Sequence, residues 1–367
     1  MDMVISQMKH SSAVPQRGLD GSIPDVFSRL IERNINLLIT GDPVLLDVTA
    51  SLKEAHFAAA NGGESGVACI VNQHQLNDMR YMNKFLESIN QNLPQGGYFI
   101  GCVETSASRK KRILSLFPKP LNTIWYVFDY LISRVWPKLP YLRSVYFALT
   151  KGKNRVISEM EAYGRLYSCG FRLVDSEETD GKLYFVAEKT GEPDYNTEAT
   201  YGPFIKLRRV GKNGKIVKVY KMRTMYPYSE YVQEFIYERN GAGGIGTGSK
   251  FNNDPRITTV GRFMRKYWID ELPMLYNLIR GDLKLFGVRP ISKHYFSLYP
   301  EEFREFRKNF KPGLVPPVYV EIPKTLDDTV EIERRYLQAY QRQPLLTDVK
   351  YFYKALYNIF IKRVRSC

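Results

Sequence analysis

Asp270-Glu271-Leu272-Pro273 sets two carboxylates side by side in a stretch crowded with cations, Arg262, Arg265 and Lys266 before it and Arg280 and Arg289 after it. The tetrapeptide predicts a helix start, with Asp270 at the cap and an acid and a proline in the first turn. Gly281 is the left-handed residue expected to end that helix. Adjacent carboxylates on a helix do not face one another. They therefore differ from the opposed acids of a glycosidase, which stand on two walls about 5–9.5 Å apart. One carboxylate as nucleophile and one as metal ligand fits the spacing better. A capped helix end of this composition is also a common structural feature without chemistry. The cations around the pair suit a polyphosphate.

The elements that must position this pair are readable on either side of it. Asn213-Gly214 stands between Ile205–Val210 and Ile216–Met222, the signature of a tight β-hairpin, with Asn and Gly supplying positive φ. Residues 240–248, "NGAGGIGTG", contain a literal GxGxxG at Gly241, Gly243 and Gly246. A helix-like stretch precedes it and polar sequence follows it, so it predicts a mobile loop and not a dinucleotide site. The C-terminal "DVKYFYKALYNIFIKRVRSC" places Tyr351, Phe352, Ala355, Leu356, Ile359 and Phe360 largely on one helical face with Lys and Arg around them. Such a helix suits an anionic membrane surface or packing on the domain, and the membrane is the favoured expectation.

Before the polar junction at Glu192–Thr200 the chain alternates strands and helices. Asn36–Thr40, Gly66–Val71, Tyr98–Val103, Phe171–Val174 and Leu183–Ala187 read as strands; Asn77–Asn92 and Ile157–Tyr167 read as helices. This predicts an α/β domain over residues 1–195 and a second domain over 196–367. Within the first, Ile113–Leu149 is unusual. Trp125, Tyr126, Phe128, Tyr130, Trp136, Tyr141, Tyr146 and Phe147 are broken by four prolines and flanked by Lys and Arg. Two readings stand open: an interfacial or re-entrant helical hairpin, and an aromatic helix pair packed on the sheet.

With 367 residues, 44% apolar and 25% charged, the chain has the composition of a globular protein of two domains. Its 53 Lys and Arg against 38 Asp and Glu give a net charge of +15. Residues 201–310 hold 21 of those cations and 10 acids, so an anionic partner is expected in the second domain. Four scattered cysteines and four histidines argue against a zinc site. A polar N-terminus and no run of 18 apolar residues predict a cytoplasmic chain without an ordinary spanning helix. No nucleic-acid module is recognisable, so charge and aromatics alone do not make a nucleic-acid partner.

Several motifs in the second domain occur in one order: "RRVGKNGKIVKVYKMRTM", "DPRITTVGRFMRK", "IDELPMLYNLIRGDLKLFGVRP" and "FKPGL". From about Gly202 to Gly313, with a weaker tail to about residue 362, they resemble the bacterial sugar transferases, the monotopic polyprenyl-phosphate phosphoglycosyl transferases. The resemblance implies an α+β membrane-associated domain at the cytoplasmic face of the bacterial inner membrane. It would move a phospho-sugar from a nucleotide diphosphate sugar, expected to be a UDP-sugar, to polyprenyl phosphate, starting exopolysaccharide, capsule or O-antigen synthesis. It implies Asp270 as the nucleophile that forms a covalent phosphosugar, Glu271 as a ligand of Mg²⁺, and Lys221, Arg265 and Arg289 as phosphate-binding residues. Other enzymes of polysaccharide synthesis are further candidate partners. An inactive scaffold or nucleotide-sugar-binding protein is the alternative.

The first half resembles the last strands and terminal hairpin of class I methyltransferases, over about residues 60–190. It lacks the glycine-rich turn through which those enzymes bind S-adenosylmethionine, so the resemblance implies a degenerate methyltransferase-like scaffold. The chain departs from the sugar transferases in two places. The apolar re-entrant helix usual before the "GP" that matches Gly202-Pro203 is replaced by this first half, and "LVPPVYVEIPKTLDD" follows "KPG".

Overall fold

A computed structural model of the chain describes residues 25–34, 69–195, 202–240, 245–246, 250–251 and 254–362. It divides into two compact units. Residues 1–201 with 227–233 form the first, and 202–226 with 234–367 the second. The division is thus not a single cut near residue 195, because a seven-residue piece beyond the junction belongs to the first unit.

The first unit is an α/β layer. Its sheet comprises β1 (Cys69–Gln75), β2 (Tyr98–Val103), β3 (Phe171–Thr179) and β4 (Lys182–Lys189), in the order β1-β2-β4-β3. β1 and β2 are parallel, and β4 is antiparallel to both β2 and β3. All six residues of β2 are buried, which is why "YFIGCV" is a continuous apolar run and not an alternation. Val26, Phe27 and Leu30 of α1 (Asp25–Arg33) pack with Cys69, Val71 and Ile100. Phe99 stacks among Phe85, Phe171 and Phe185.

The helix expected from Asn77 begins later, as α2 (Met82–Asn92). Asn77 is withheld from it because its amide donates to the carbonyls of Glu104 and Arg155 and accepts from the Glu104 N–H. The strand expected at Asn36–Thr40 lies outside the described residues. Between β2 and β3 run α3 (Ser106–Leu116), α4 (Leu121–Tyr130), a π-helical turn at Leu131–Val135, α5 (Leu142–Thr150) and α6 (Glu159–Ser168). Tyr228, from the returning piece, completes this unit. It is 5% exposed, its hydroxyl accepts from Asn83 Nδ2 at 2.8 Å, and the Arg165 guanidinium lies 4.6 Å over its ring.

In the second unit β5 (Phe204–Val210) and β6 (Ile216–Met222) form an antiparallel hairpin. Asn213 and Gly214 take φ of 56° and 71°, the turn geometry their types predict. The short strands β7 (Ile245–Gly246) and β8 (Lys250–Phe251) pair within the glycine-rich stretch, the rest of which lies outside the described residues. α7 (Gln233–Asn240) precedes them, and α8 (Thr259–Lys266) and α9 (Met274–Ile279) follow. Next come β9 (Lys284–Phe286), α10 (Lys293–Ser297), α11 (Glu301–Lys308), β10 (Gly313–Val315), α12 (Leu326–Arg342) and α13 (Pro344–Phe360).

Two glycines explain why the motifs that carry the resemblance pack together. A Cβ on Gly261 would stand 2.1 Å from the Thr224 carbonyl, and one on Gly313 would stand 2.1 Å from the Gly287 nitrogen. "VGRF" thus seats against "RTM", and "KPG" against "FGV", as β10 pairs with β9.

The core gathers Phe286, Phe303, Tyr319, Tyr336, Leu337 and Ala355, with Tyr351, Phe352 and Ile359 packed against it. The C-terminal helical face singled out in the sequence is therefore in large part a core face, which corrects the expectation that it meets a membrane. Leu346, Val349, Tyr353 and Tyr357 of α13, and with them Phe360 from the face singled out in the sequence, are left exposed, each more than half accessible. Among the described residues no helix is long and apolar enough to cross a membrane.

Candidate active site

Asp270 and Glu271 do not begin a helix. They lie in a 3-10 turn, Ile269–Glu271, entered through Trp268 in the left-handed region at φ 55°, and α9 starts three residues later. Asp270 is therefore inside a tight turn and not at a cap. Gly281, at φ 75°, does follow the end of α9 as expected. The indole N–H of Trp268 donates to Tyr319 Oη at 3.0 Å, fixing the residue from which the turn departs.

β6 is held to α9 by the fully buried Asn277. Its amide donates to the Lys218 carbonyl at 2.8 Å and accepts the Tyr220 N–H at 2.9 Å. This fixes the end of β6, where Lys221 Nζ donates to Glu271 Oε1 at 2.6 Å. Directly paired residues of a hairpin share a face. Lys221 pairs with Ile205, so Leu207 and Arg209, on the same face of β5, stand with it. Lys221, Glu271, Arg209, Arg289 and Tyr319 line one recess of about 70 Å³. Burial lowers the Arg209 pKa and the Arg289 charge lowers it further, as expected of two guanidiniums that converge on one recess.

Asp270 and Arg265 are not among the residues lining that recess. Asp270 is 8% exposed, and burial raises its pKa; Lys221 opposes this, Glu271 adds to it, and Arg265 opposes it again. Arg265 is itself lowered by burial, against the attraction of Asp270 and Asp254. Its Nε donates to Thr224 Oγ1 at 2.9 Å. Beside it the buried Asp254 binds Arg256 through both carboxylate oxygens.

Arg289 is steadied from behind. Arg307 Nη2 donates to the Arg289 carbonyl at 2.6 Å, while its Nε binds Glu333 Oε2 at 2.7 Å. Both side chains of that pair are at most 3% exposed. Arg209, Asn277 and the Arg307–Glu333 pair were missed from sequence. Hairpin alternation alone would have put Arg209 beside Lys221; nothing local marks the other three.

No group of three or more His, Cys, Asp or Glu side chains able to hold a metal occurs among the described residues. What the turn offers a cation is Glu271 with the neighbouring Asp270. An all-protein cage is thus not built here. A magnesium ion held by one or two carboxylates, with water and substrate phosphates as its other ligands, fits this donor set.

Two carboxylates, one buried and one engaged by a lysine, thus stand near converging arginines, a charge arrangement that suits a phosphate-bearing ligand. The family profile described as bacterial sugar transferase matches residues 196–362. This part of the chain is similar to that family. It is 34% identical over 150 residues to the galactosyl transferase CpsE of Streptococcus agalactiae serotype III, covering 41% of this chain and 33% of that protein. It is 36% identical over 137 residues to the undecaprenyl-phosphate galactose phosphotransferase of Salmonella typhimurium, covering 36% and 26%. It is 38% identical over 109 residues to the exopolysaccharide production protein ExoY of Sinorhizobium fredii, covering 29% and 48%. The chain thus spans between a quarter and a half of these relatives. Among solved structures, an O-methyltransferase family 2 protein from Planctomyces limnophilus in complex with apigenin aligns at TM-score 0.22 and 18% identity. The alignment covers 36% of this chain and 32% of that one, a likeness too slight to assign a fold.

Proposed function

We propose that the second unit is a phosphoglycosyl transferase that moves a phospho-sugar from a UDP-sugar to polyprenyl phosphate. The observation that carries this reading is the Lys221–Glu271 pair, with Arg209 and Arg289 in one recess beside the buried Asp270, in a domain similar to the bacterial sugar transferase family.

An Asp270 carboxylate oxygen attacks the sugar-bearing phosphorus, the bond to the nucleoside monophosphate oxygen breaks, and a phosphosugar ester of Asp270 results. A polyprenyl phosphate oxygen then attacks the same phosphorus and returns the carboxylate. A carboxylate needs no base to serve as nucleophile, and burial raises the energy of its charge. Lys221, Arg265 and Arg289 hold the diphosphate and spread its charge, the main task in phosphoryl transfer. Magnesium, when bound at Glu271 and the substrate phosphates, supplies further neutralisation of the phosphoryl oxygens.

The acceptor is a lipid, and the unit suits the cytoplasmic surface of an inner membrane. Ile279 at the end of α9 and Leu345 at the start of α13 are each 84% exposed, and α13 carries an exposed apolar row of its own. The first unit we read as a degenerate methyltransferase-like scaffold, its sheet closed by the β3–β4 hairpin.

The test uses membrane-fraction protein with Mg²⁺, undecaprenyl phosphate and a panel of UDP-sugars, following release of UMP. Lipid-dependent release is expected, together with a phosphosugar adduct on the peptide containing Asp270. Folded protein that releases no nucleotide from any donor sugar would turn the reading toward a scaffold.

A further inference from the structure

A cavity of about 530 Å³ lies within the first unit, walled by α2, α5, α6 and the turn that follows α4. Its inner end is built on Glu161, 3% exposed at the side chain, which accepts from Arg134 at 2.5 Å, Arg165 at 2.9 Å and Lys138 at 3.4 Å. Arg134 sits on the π-helical turn, a departure from regular helix that recurs at functional sites. The outer end is built on Phe147, with the guanidiniums of Arg80, Arg143 and Arg155 at 6.0, 5.9 and 5.7 Å from its ring centre. Neither Arg80 nor Arg143 forms an ion pair with a carboxylate among the described residues. Lys84 joins them on the rim. Seven cationic side chains therefore face a single carboxylate across one cavity.

Such an arrangement is costly unless an anion completes it, since like charges a few ångströms apart repel strongly where water is partly excluded. The strain is visible at Lys138: burial, the largest influence, lowers its pKa to about 7, Glu161 opposes this, and Arg134 and Arg165 add to the lowering. Guanidiniums in this number match phosphate oxygens, and the volume exceeds what one inorganic phosphate needs.

The walls also carry apolar surface outward. α5 turns Arg143, Ser144 and Phe147 to the cavity, while Tyr141, at its start, and Leu149 are 89% and 76% exposed. α4 exposes Leu121, Ile124, Trp125 and Phe128, spaced as one helical stripe. Apolar stripes flanking a cationic cavity match the two halves of an anionic lipid.

We infer that this cavity of the first unit is a phosphate-binding site, separate from the Asp270 site, and that a lipid headgroup carries the phosphate. The inference is independent of the transferase reading. Because the second unit has apolar surface of its own, bulk vesicle binding would not isolate the cavity, and a local readout is needed. Lys138 provides it: it lies on the cavity wall, burial lowers its pKa and so favours acetylation at pH 8, and a bound phosphate both covers it and favours its charged form.

The full chain is pulsed with an acetylating reagent at pH 8, and each lysine is read by mass spectrometry. The pulse is repeated with phosphatidylcholine vesicles, with vesicles containing phosphatidic acid, with inorganic pyrophosphate and with UDP. Phosphatidic acid is expected to slow acetylation of Lys138 roughly tenfold, and phosphatidylcholine to leave it unchanged. The exposed pair Arg80→Glu with Arg143→Glu, checked for native thermal melting, is expected to abolish the protection. Protection by pyrophosphate or UDP without protection by phosphatidic acid would keep the phosphate site and overturn the lipid source. Equal protection by both vesicles, protection by none of the ligands, or protection that survives in the double variant would each overturn the site.

Discussion

Glu161 in the first unit and Asp270 in the second are both carboxylates set among arginines and lysines, and burial acts to raise the pKa of each. At Glu161 that tendency is outweighed by Arg134, Lys138 and Arg165, which hold the group far below the usual carboxylate range. At Asp270 burial prevails over Lys221 and Arg265, and the pKa ends above its ordinary value. Three cations touch Glu161 directly. The lysine of the other site binds the neighbour, Glu271, and the arginine binds Thr224, so that Asp270 has the attraction of both without being claimed by either. A carboxylate saturated with ion pairs is a counter-ion; one that is buried but unclaimed is available for chemistry.

The contrast can be broken most directly at Asp270. Asp270→Asn is expected to lower lipid-dependent UMP release by roughly 10⁴-fold or more, with the melting temperature little changed. A variant retaining a tenth of the native rate would remove the residue from the role of nucleophile. Glu161→Gln should do the reverse. Leaving Arg134, Lys138 and Arg165 uncompensated is expected to cost about 3–5 kcal/mol in the unfolding of the first unit, measured by urea titration. The same loss should develop in the native chain as pH falls below the ordinary carboxylate range, because the folded pKa of Glu161 is the lower one.

Lys221→Met removes the cation that engages Glu271. It is expected to slow UMP release about 10²–10³-fold, since Lys221 is the cation placed on the carboxylate pair. A rate within a factor of three of native would mean that the Lys221–Glu271 pair is a structural strut. The smallest effect concerns Lys138. Its folded pKa of about 7 lies below that of the unfolded chain, so the unfolded state holds the extra proton above pH 7. Stability should therefore rise with pH between 7 and 9, by at most about 1.4 kcal/mol per unit, and Lys138→Met should remove that slope in urea titrations at each pH.

Much of this was legible in local sequence. The Asn213–Gly214 turn, the Tyr98–Val103 strand and the left-handed Gly281 lie where residue type and spacing put them, because backbone preference decides them over a few residues. The Asp270–Glu271 pair was visible as chemistry, but its 3-10 turn was not, since Asp before Pro is an equally good helix start. The cavity of the first unit was invisible for a different reason: its cations are spread from Arg80 to Arg165 and meet only when four elements pack. α13 misled because both its faces are apolar. Periodicity marks a stripe as apolar without saying which of two stripes the core takes.

The return of residues 227–233 to the first unit bears on how this protein can be dissected. A polypeptide ended at residue 201 would keep the whole four-stranded sheet yet lose Tyr228, exposing Asn83, Gly164 and the face of Arg165 that it covers. The first unit therefore takes seven residues from beyond the apparent linker, and a gene fusion or split made there would sever a piece that it needs.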